Sequence, residues 1–211
     1  HNKLARTSGE KISHSTLEKI SFLKAQCHSP ESALAQMGES AKRTITIFAH
    51  YEQLLAAQNA VDFDDLINFP VRLLLQRPEL RRAMQASYPI LAVDEFQDIN
   101  KSQYELFRLL AITARDVCVI GDPDQAIYGF RGASAVYFKQ FTLDFPQFTA
   151  IRLKRNYRSA QSILSASLQM LGRDEEEHLC SAISPDVKVH IEVSPTDRAE
   201  AEFVVHRIEQ H

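Results

Sequence analysis

Glycine is scarce: 211 residues contain six, Gly9, Gly38, Gly121, Gly129, Gly132 and Gly172. None of them opens a GxxxxGK[ST] stretch, so the sequence lacks the loop whose backbone N–H groups cradle nucleotide phosphates. Cysteine is equally sparse. Cys27, Cys118 and Cys180 show no CxxC spacing, which excludes a disulfide framework and fits a reducing cytoplasm. Cys118 lies inside an apolar run and is expected as a buried thiol. No excess of positive charge exists either: 24 Lys and Arg face 27 Asp and Glu, for a net charge of −3. Any nucleic-acid contact must come from local patches. No apolar run approaches a membrane span, and no signal peptide is visible. The chain opens His1-Asn2-Lys3 without an initiator methionine, and the expectation is a piece of a longer protein.

What is present is ordinary for a soluble globular protein, with 45% hydrophobic and 24% charged residues. The length suits one large domain or two small ones. Residues 1–9 carry no period and read as a frayed end. Ile12, Leu17, Ile20 and Leu23 then recur at helical spacing, and Ser29-Pro30-Glu31 closes that helix and starts another. Ala41, Ile45, Phe48, Glu52 and Leu55 trace one stripe of a helix over 39–59, apolar except for Glu52. Asp62 is the expected N-cap of the next helix, with Asp64 and Asp65 in its first turn, where the helix dipole favours negative charge. Pro70 is expected to kink or end that helix, and Pro78 to precede a short one over 79–87. This first portion contains no strand and reads as a helical subdomain.

From residue 89 the texture changes. Pro89 to Val93 reads as a short buried strand ending in Asp94-Glu95. Asn100-Lys101-Ser102-Gln103 resembles a capping box leading a helix to about Ile112. Further strands are expected over 116–120, 149–153 and 187–193. Ser159 is the expected cap of a helix carrying Ile163, Leu164 and Leu168. The run 174–177 reads as a solvated turn. Thr196 and Asp197 would cap a last helix, with Phe203, Val204 and Ile208 facing inward. Strand–helix alternation argues for an α/β fold with a mainly parallel sheet, without internal repeats.

Three successive strand ends carry polar residues, the layout of a nucleotide site at the edge of a parallel sheet. Asp94 is placed to hold a hydrated Mg²⁺, and Glu95 to take a proton from an attacking water. Alone, such a pair reads equally well as an acidic turn. The next two strand ends decide it. Asp94-Glu95-Phe96-Gln97-Asp98, the block from Gly121 to Ala133 (GDPDQAIYGFRGA) and Asn156-Tyr157-Arg158-Ser159 resemble motifs II, III and IV of the UvrD/Rep/PcrA family, superfamily 1 DNA helicases. Val61-Asp62-Phe63-Asp64-Asp65-Leu66 is similar to a further block of that family. The resemblance covers about residues 39–211.

It implies a partial RecA-like P-loop NTPase fold preceded by a helical subdomain. Residues 1–58 would be the C-terminal part of a helical insertion, 59–153 part of a first RecA-like domain, and 154–211 the start of a second. It implies ATP and Mg²⁺, with Asp94 on the metal, Glu95 on the attacking water and Gln125 sensing the γ-phosphate. Tyr157 would stack on adenine, and Arg158 would be an arginine finger whose planar guanidinium reaches phosphate oxygens. Phe130, standing where the family usually has tryptophan, would stack a DNA base. Arg131 resembles a residue that couples the nucleotide and DNA loops, by pairing with a carboxylate. Tyr128 is open between core packing and DNA contact. Phe63 reads first as core and second as a residue near the single-strand track.

The implied parent is an ATP-driven 3′→5′ translocase that unwinds duplexes in DNA repair or replication. Its partners would be single-stranded and junction DNA, its location the bacterial cytoplasm and nucleoid, with no membrane. The helicase portion of an AddA- or RecB-like helicase–nuclease and an ATPase-dead scaffold module are the alternatives. The motifs departing from the family pattern are the missing Walker A loop and the missing late blocks. The expectation is therefore that this chain alone hydrolyses no ATP at a useful rate.

Overall fold

A computed structural model describes residues 13–38, 41–172, 179–184 and 187–210. The chain divides into two compact units, His1–Phe148 and Thr149–His211. Helices predominate, accompanied by two small parallel sheets.

The first unit opens with α1 (His14–Ala25), α2 (Pro30–Met37) and α3 (Lys42–Ala57). Local chemistry sets their starts. The Ser13 hydroxyl accepts from the Thr16 N–H, and Ser29 with Ser32 forms a reciprocal capping box ahead of Pro30. Ile20 and Leu23 of the expected stripe are buried, and they pack with Ile45, Phe48, Tyr51 and Leu55 of α3. Each such side chain contributes about 1.5–3 kcal/mol when fully buried. Ile12 lies outside the described residues.

The next helices are α4 (Asp65–Gln76) and α5 (Pro78–Ser87). Pro70 sits inside α4 and does not end it. Proline removes one helical hydrogen bond, but packing beyond it carries the helix on, because Val71 and Leu74 bury against Leu109.

Strand β1 (Ile90–Val93) pairs in parallel with β2 (Asp116–Val119), Ile90 opposite Asp116 and Val93 opposite Val119. Between them runs α6 (Lys101–Ala111), started by the expected box of Asn100 and Gln103. Helix α7 (Val136–Asp144) follows β2. Leu91, Val93, Val117 and Val119 pack on a cluster of Phe96, Tyr104, Phe107 and Phe141. The Phe96 ring is fully enclosed and meets Tyr104, Phe107, Phe138 and Phe141 edge-on, at centroid distances of 5.2–6.3 Å.

The expectation of a buried strand needs correction. One face of the sheet is covered, while the other is open among the described residues: Ile90 is 56% exposed and Cys118 is exposed rather than buried. Residues i and i+2 share a face, so Cys118 follows Ile120 to the open side.

In the second unit β3 (Arg155–Asn156) pairs in parallel with β4 (Cys180–Ser181). Helix α8 (Gln161–Met170) follows β3, and α9 (Asp197–Glu209) comes last. Residues 149–153 and 187–193 form no strand, contrary to expectation. Ile151, Leu153, Ile191 and Val193 have strand propensity, but they are exposed, and among the described residues no strand edge pairs with them. Ser159 does not cap α8. Its N–H donates to Asn156 Oδ1 at 2.8 Å, and its carbonyl accepts from the Ser181 hydroxyl at 2.7 Å. Helix α9 is capped by Thr196 as expected, yet Phe203, Val204 and Ile208 are exposed, not inward. The run 174–177 lies outside the described residues. No described helix is long and apolar enough to cross a membrane.

Candidate nucleotide and nucleic-acid site

The parallel pairing of β1 with β2 brings their carboxyl ends side by side. Main-chain bonds continue past both strands: Ile120 N–H donates to the Val93 carbonyl at 2.8 Å, and Phe96 N–H to the Ile120 carbonyl at 2.9 Å. Asp94 and Glu95 therefore emerge directly beside the loop that begins at Gly121. Both are exposed, and Asp94 Oδ1 accepts from the Glu95 N–H at 2.9 Å. Glu95 adopts a left-handed backbone conformation, φ +52°. For a non-glycine residue this costs on the order of 1–3 kcal/mol and persists only where its surroundings enforce it.

Here the enforcing contacts are visible. After Glu95 the chain makes a 3-10 turn, Phe96–Asp98, anchored by the enclosed Phe96. In the same turn the Gln97 side chain is 1% exposed. Its Nε2 donates to Glu95 Oε2 at 2.6 Å, and its Oε1 accepts from the Asp122 N–H at 3.0 Å. Asp122 in turn orders its own loop, Oδ1 accepting from Asp124 N–H at 3.0 Å and Oδ2 from Gln125 Nε2 at 2.7 Å. The structure thus joins Glu95 and Gln125 through Gln97 and Asp122. Gly121 leaves the room: a Cβ there would stand 2.5 Å from Gln97 Oε1 and 2.9 Å from the Phe96 nitrogen.

The donor chemistry at this edge fits Mg²⁺, since Asp94 and Glu95 supply the hard carboxylate oxygens it prefers. A phosphate-cradling loop is not among the residues of this chain.

A second group forms on the turn Gly129–Arg131. The Tyr128 and Phe130 rings lie 6.0 Å apart, and the Arg131 guanidinium sits over both, 5.1 and 5.4 Å from their centroids. Phe130 is 73% exposed and Tyr128 38%. Arg131 was expected against a carboxylate; among the described residues it makes no such pair and stacks on the two rings instead. Gly132 has φ +82°, and a Cβ on it would meet Gln26 Nε2 at 3.1 Å and Ala25 Cβ at 3.4 Å. The aromatic loop is therefore seated on the end of α1.

The same helix holds the Phe63 turn. Asp62 Oδ1 accepts from Asp65 N–H at 2.8 Å, and Asp62 N–H donates to Asp65 Oδ2 at 3.3 Å, a reciprocal cap. Asp65 lies in the first turn of α4 as expected, and both it and Asp62 are buried. Lys24, only 3% exposed, places Nζ 2.8 Å from Glu52 Oε1, 2.8 Å from Asp62 Oδ2 and 2.7 Å from Asp65 Oδ1. The last contact is close enough for an ion pair, although it lies off the line of a good hydrogen bond. Tyr51 adds a hydroxyl donated to Asp62 Oδ2 at 3.1 Å. Burial and the neighbouring Asp62 push the Tyr51 hydroxyl's pKa well up, so it remains a donor. Asp64 also has a raised pKa, first through burial, with Ser21 of α1 opposing by a hydrogen bond. Phe63, between these pinned acids, is 75% exposed, which overturns its reading as core.

Tyr157 and Arg158 belong to the second unit. Asn156 Oδ1 accepts from the Arg158 N–H at 2.8 Å and shapes their turn. Tyr157 is 70% exposed, with the Arg155 guanidinium 5.3 Å from its ring centroid.

Two residues escaped the sequence reading. Lys24 stands four residues after Ile20 on the apolar stripe of α1, and a lysine in that position signals buried acids opposite. Gln97 had no such periodic signal; its trace is the glycine forced at 121 where two strand-end loops converge.

Comparison with known proteins gives the family. Residues 2–146 match the family model described as the UvrD/REP helicase N-terminal domain. The ATP-dependent DNA helicase PcrA of Staphylococcus aureus strain Mu50 is 36% identical over 196 residues, which is 91% of this chain and 27% of that protein. PcrA of Staphylococcus epidermidis strain ATCC 35984 is 37% identical over the same shares. The chain spans about a quarter of the length of these relatives.

Proposed function

The chain belongs to the UvrD/REP helicase family, and from that premise we propose that the full-length protein is an ATP-driven 3′→5′ translocase on single-stranded DNA that unwinds duplexes in repair or replication. The observation that carries this reading is the joined set Asp94, Glu95 and Gln125 at neighbouring parallel strand ends. Its layout is that of a nucleotide edge in a RecA-like domain. Residues 1–58 are then part of a helical insertion, 59–153 part of the first RecA-like domain, and 154–211 the start of the second.

ATP is the substrate. Asp94 would hold Mg²⁺, which supplies charge neutralisation on the phosphates when bound. Glu95 orients the attacking water and accepts its proton. Gln125 has an uncharged amide suited to contact both a γ-phosphate oxygen and that water. The motif assigns Tyr157 to the adenine and Arg158 to the phosphates, where a guanidinium offers several donors in one plane. Phe130, Tyr128, Phe63 and Arg131 face single-stranded or junction DNA; exposed rings next to a guanidinium make a stacking platform with little sequence preference. The protein would act in the bacterial cytoplasm, at the nucleoid. Without a phosphate-cradling loop, the 211-residue chain alone would not turn ATP over at a useful rate.

The test is ATP turnover and strand displacement by the full-length protein with and without single-stranded DNA. DNA-stimulated turnover that Glu95→Gln abolishes, with ATP binding retained, supports the reading. Loss of ATP binding in that variant makes Glu95 structural, and DNA-stimulated turnover by the 211-residue chain alone overturns its predicted inactivity.

A further inference from the structure

We propose that Gln97 is a positioning residue for ATP hydrolysis: its buried amide fixes the Glu95 carboxylate to the Gln125 loop, so that the two approach a nucleotide as one unit. This rests on the roles given above to Glu95 and Gln125.

A glutamine amide has a donor end and an acceptor end, and here each is used once. Nε2 donates to Glu95 Oε2 at 2.6 Å, and Oε1 accepts from Asp122 N–H at 3.0 Å. The orientation is dictated by the partners, since a carboxylate only accepts and a backbone N–H only donates. At 1% exposure the Gln97 side chain is itself shielded from solvent. Among the described residues Glu95 Oε1 accepts no hydrogen bond, so one carboxylate oxygen is held and the other is left for a water.

The link is stiff on both sides. On one, Phe96 locks the 3-10 turn into the aromatic cluster, while Glu95 sits in a left-handed conformation with its N–H on Asp94. On the other, Asp122 receives Gln97 through its N–H and holds the Gln125 amide through Oδ2 at 2.7 Å. Gly121 supplies independent support: a methyl there would collide with Gln97 Oε1 at 2.5 Å, so the backbone is shaped around this amide. Gln97 contacts no reacting atom. It acts on Glu95 by orientation alone, and orientation is where hydrolysis of this kind is sensitive.

The experiment measures steady-state ATP turnover of the full-length protein at saturating single-stranded DNA, with melting temperatures alongside. Gln97→Leu removes both bonds, and kcat is expected to fall on the order of 10- to 100-fold, the cost of a misplacement near 1 Å. KM for ATP should change less than about threefold, because the lost interaction serves the transition state. Gln97→Glu keeps an acceptor for Asp122 but offers Glu95 no donor, and it should follow Gln97→Leu. Should both buried replacements lower the melting temperature severely, Gln97→Asn decides: it keeps a polar amide in the buried site but is one methylene too short to span Glu95 and the Asp122 N–H, and the same fall in kcat at steady KM is expected. A folded variant with wild-type kcat overturns the proposal, as does a rise in KM with kcat unchanged. A wild-type protein without DNA-stimulated turnover would instead overturn the functional reading itself.

Discussion

Lys24 Nζ donates to Asp62 Oδ2 at 2.8 Å, with both side chains buried where α1, α3 and the start of α4 meet. The lysine also faces Glu52 and Asp65, so one cation answers three carboxylates. Removing it would leave buried acids without a counter-charge, and breaking a buried pair from one side costs about 3–5 kcal/mol. Lys24→Met is therefore expected to lower the unfolding free energy by that amount in urea titrations. Adding Asp65→Asn to it should restore part of the loss. No recovery in the double variant would mean that Lys24 acts through packing of its stem, not through charge.

The same cluster sets a pH dependence. Burial by itself would lower the pKa of Lys24; its close contacts with the carboxylates of Asp62, Asp65 and Glu52 outweigh it, and the folded value lies above the ordinary 10.5. A cation with a raised folded pKa contributes its full stabilisation below the unfolded value and loses it as pH rises through the folded one. The stability difference between wild type and Lys24→Met should then be flat from about pH 6 to 9 and shrink above about pH 10.5. Urea midpoints of both proteins across that range give the answer. A difference that shrinks already near neutral pH would contradict the assignment.

Phe130 and Phe63 stand on separate turns, both supported by α1. Because each ring is more than two-thirds exposed, Phe130→Ala or Phe63→Ala should change stability by no more than about 0.5 kcal/mol. In the full-length protein each should weaken single-stranded DNA binding by about 1–3 kcal/mol, the worth of one stacked base. Fluorescence anisotropy with a labelled oligonucleotide separates the two effects. Unchanged affinity with lowered stability would return the ring to a packing role.

Much of this was legible in advance because it is local. Caps at Ser29, Asn100 and Thr196 follow from side chains three residues from the N–H groups they satisfy. Strands β1 and β2 follow from apolar runs bounded by turns. Residues 149–153 and 187–193 failed for the complementary reason: a strand needs an edge to pair with, and strand propensity at Ile151 or Ile191 cannot supply one. Exposure failed similarly. Cys118 sits in an apolar run, but whether that run is covered depends on what packs on the sheet. At the candidate site the sequence pattern marked Asp94, Glu95 and Gln125 but not the Gln97 bridge, which exists only once two loops distant in sequence converge.

Gly132 offers a final discrimination, with Gly129 as its control. Gly132 has φ +82°, and a Cβ would press on Gln26 Nε2 at 3.1 Å and Ala25 Cβ at 3.4 Å; Gly129 has nothing within 4 Å. Left-handed strain and the tight approach to α1 act together in Gly132→Ala, which should destabilise the protein by about 1–3 kcal/mol. The turn carrying Tyr128, Phe130 and Arg131 would also lift from its seat on α1, so DNA affinity should fall although no ring is removed. Gly129→Ala should alter stability by less than about 0.5 kcal/mol. If both substitutions weaken DNA binding equally without loss of stability, the loop works by flexibility. If only Gly132→Ala does, the platform depends on being held rigid by α1.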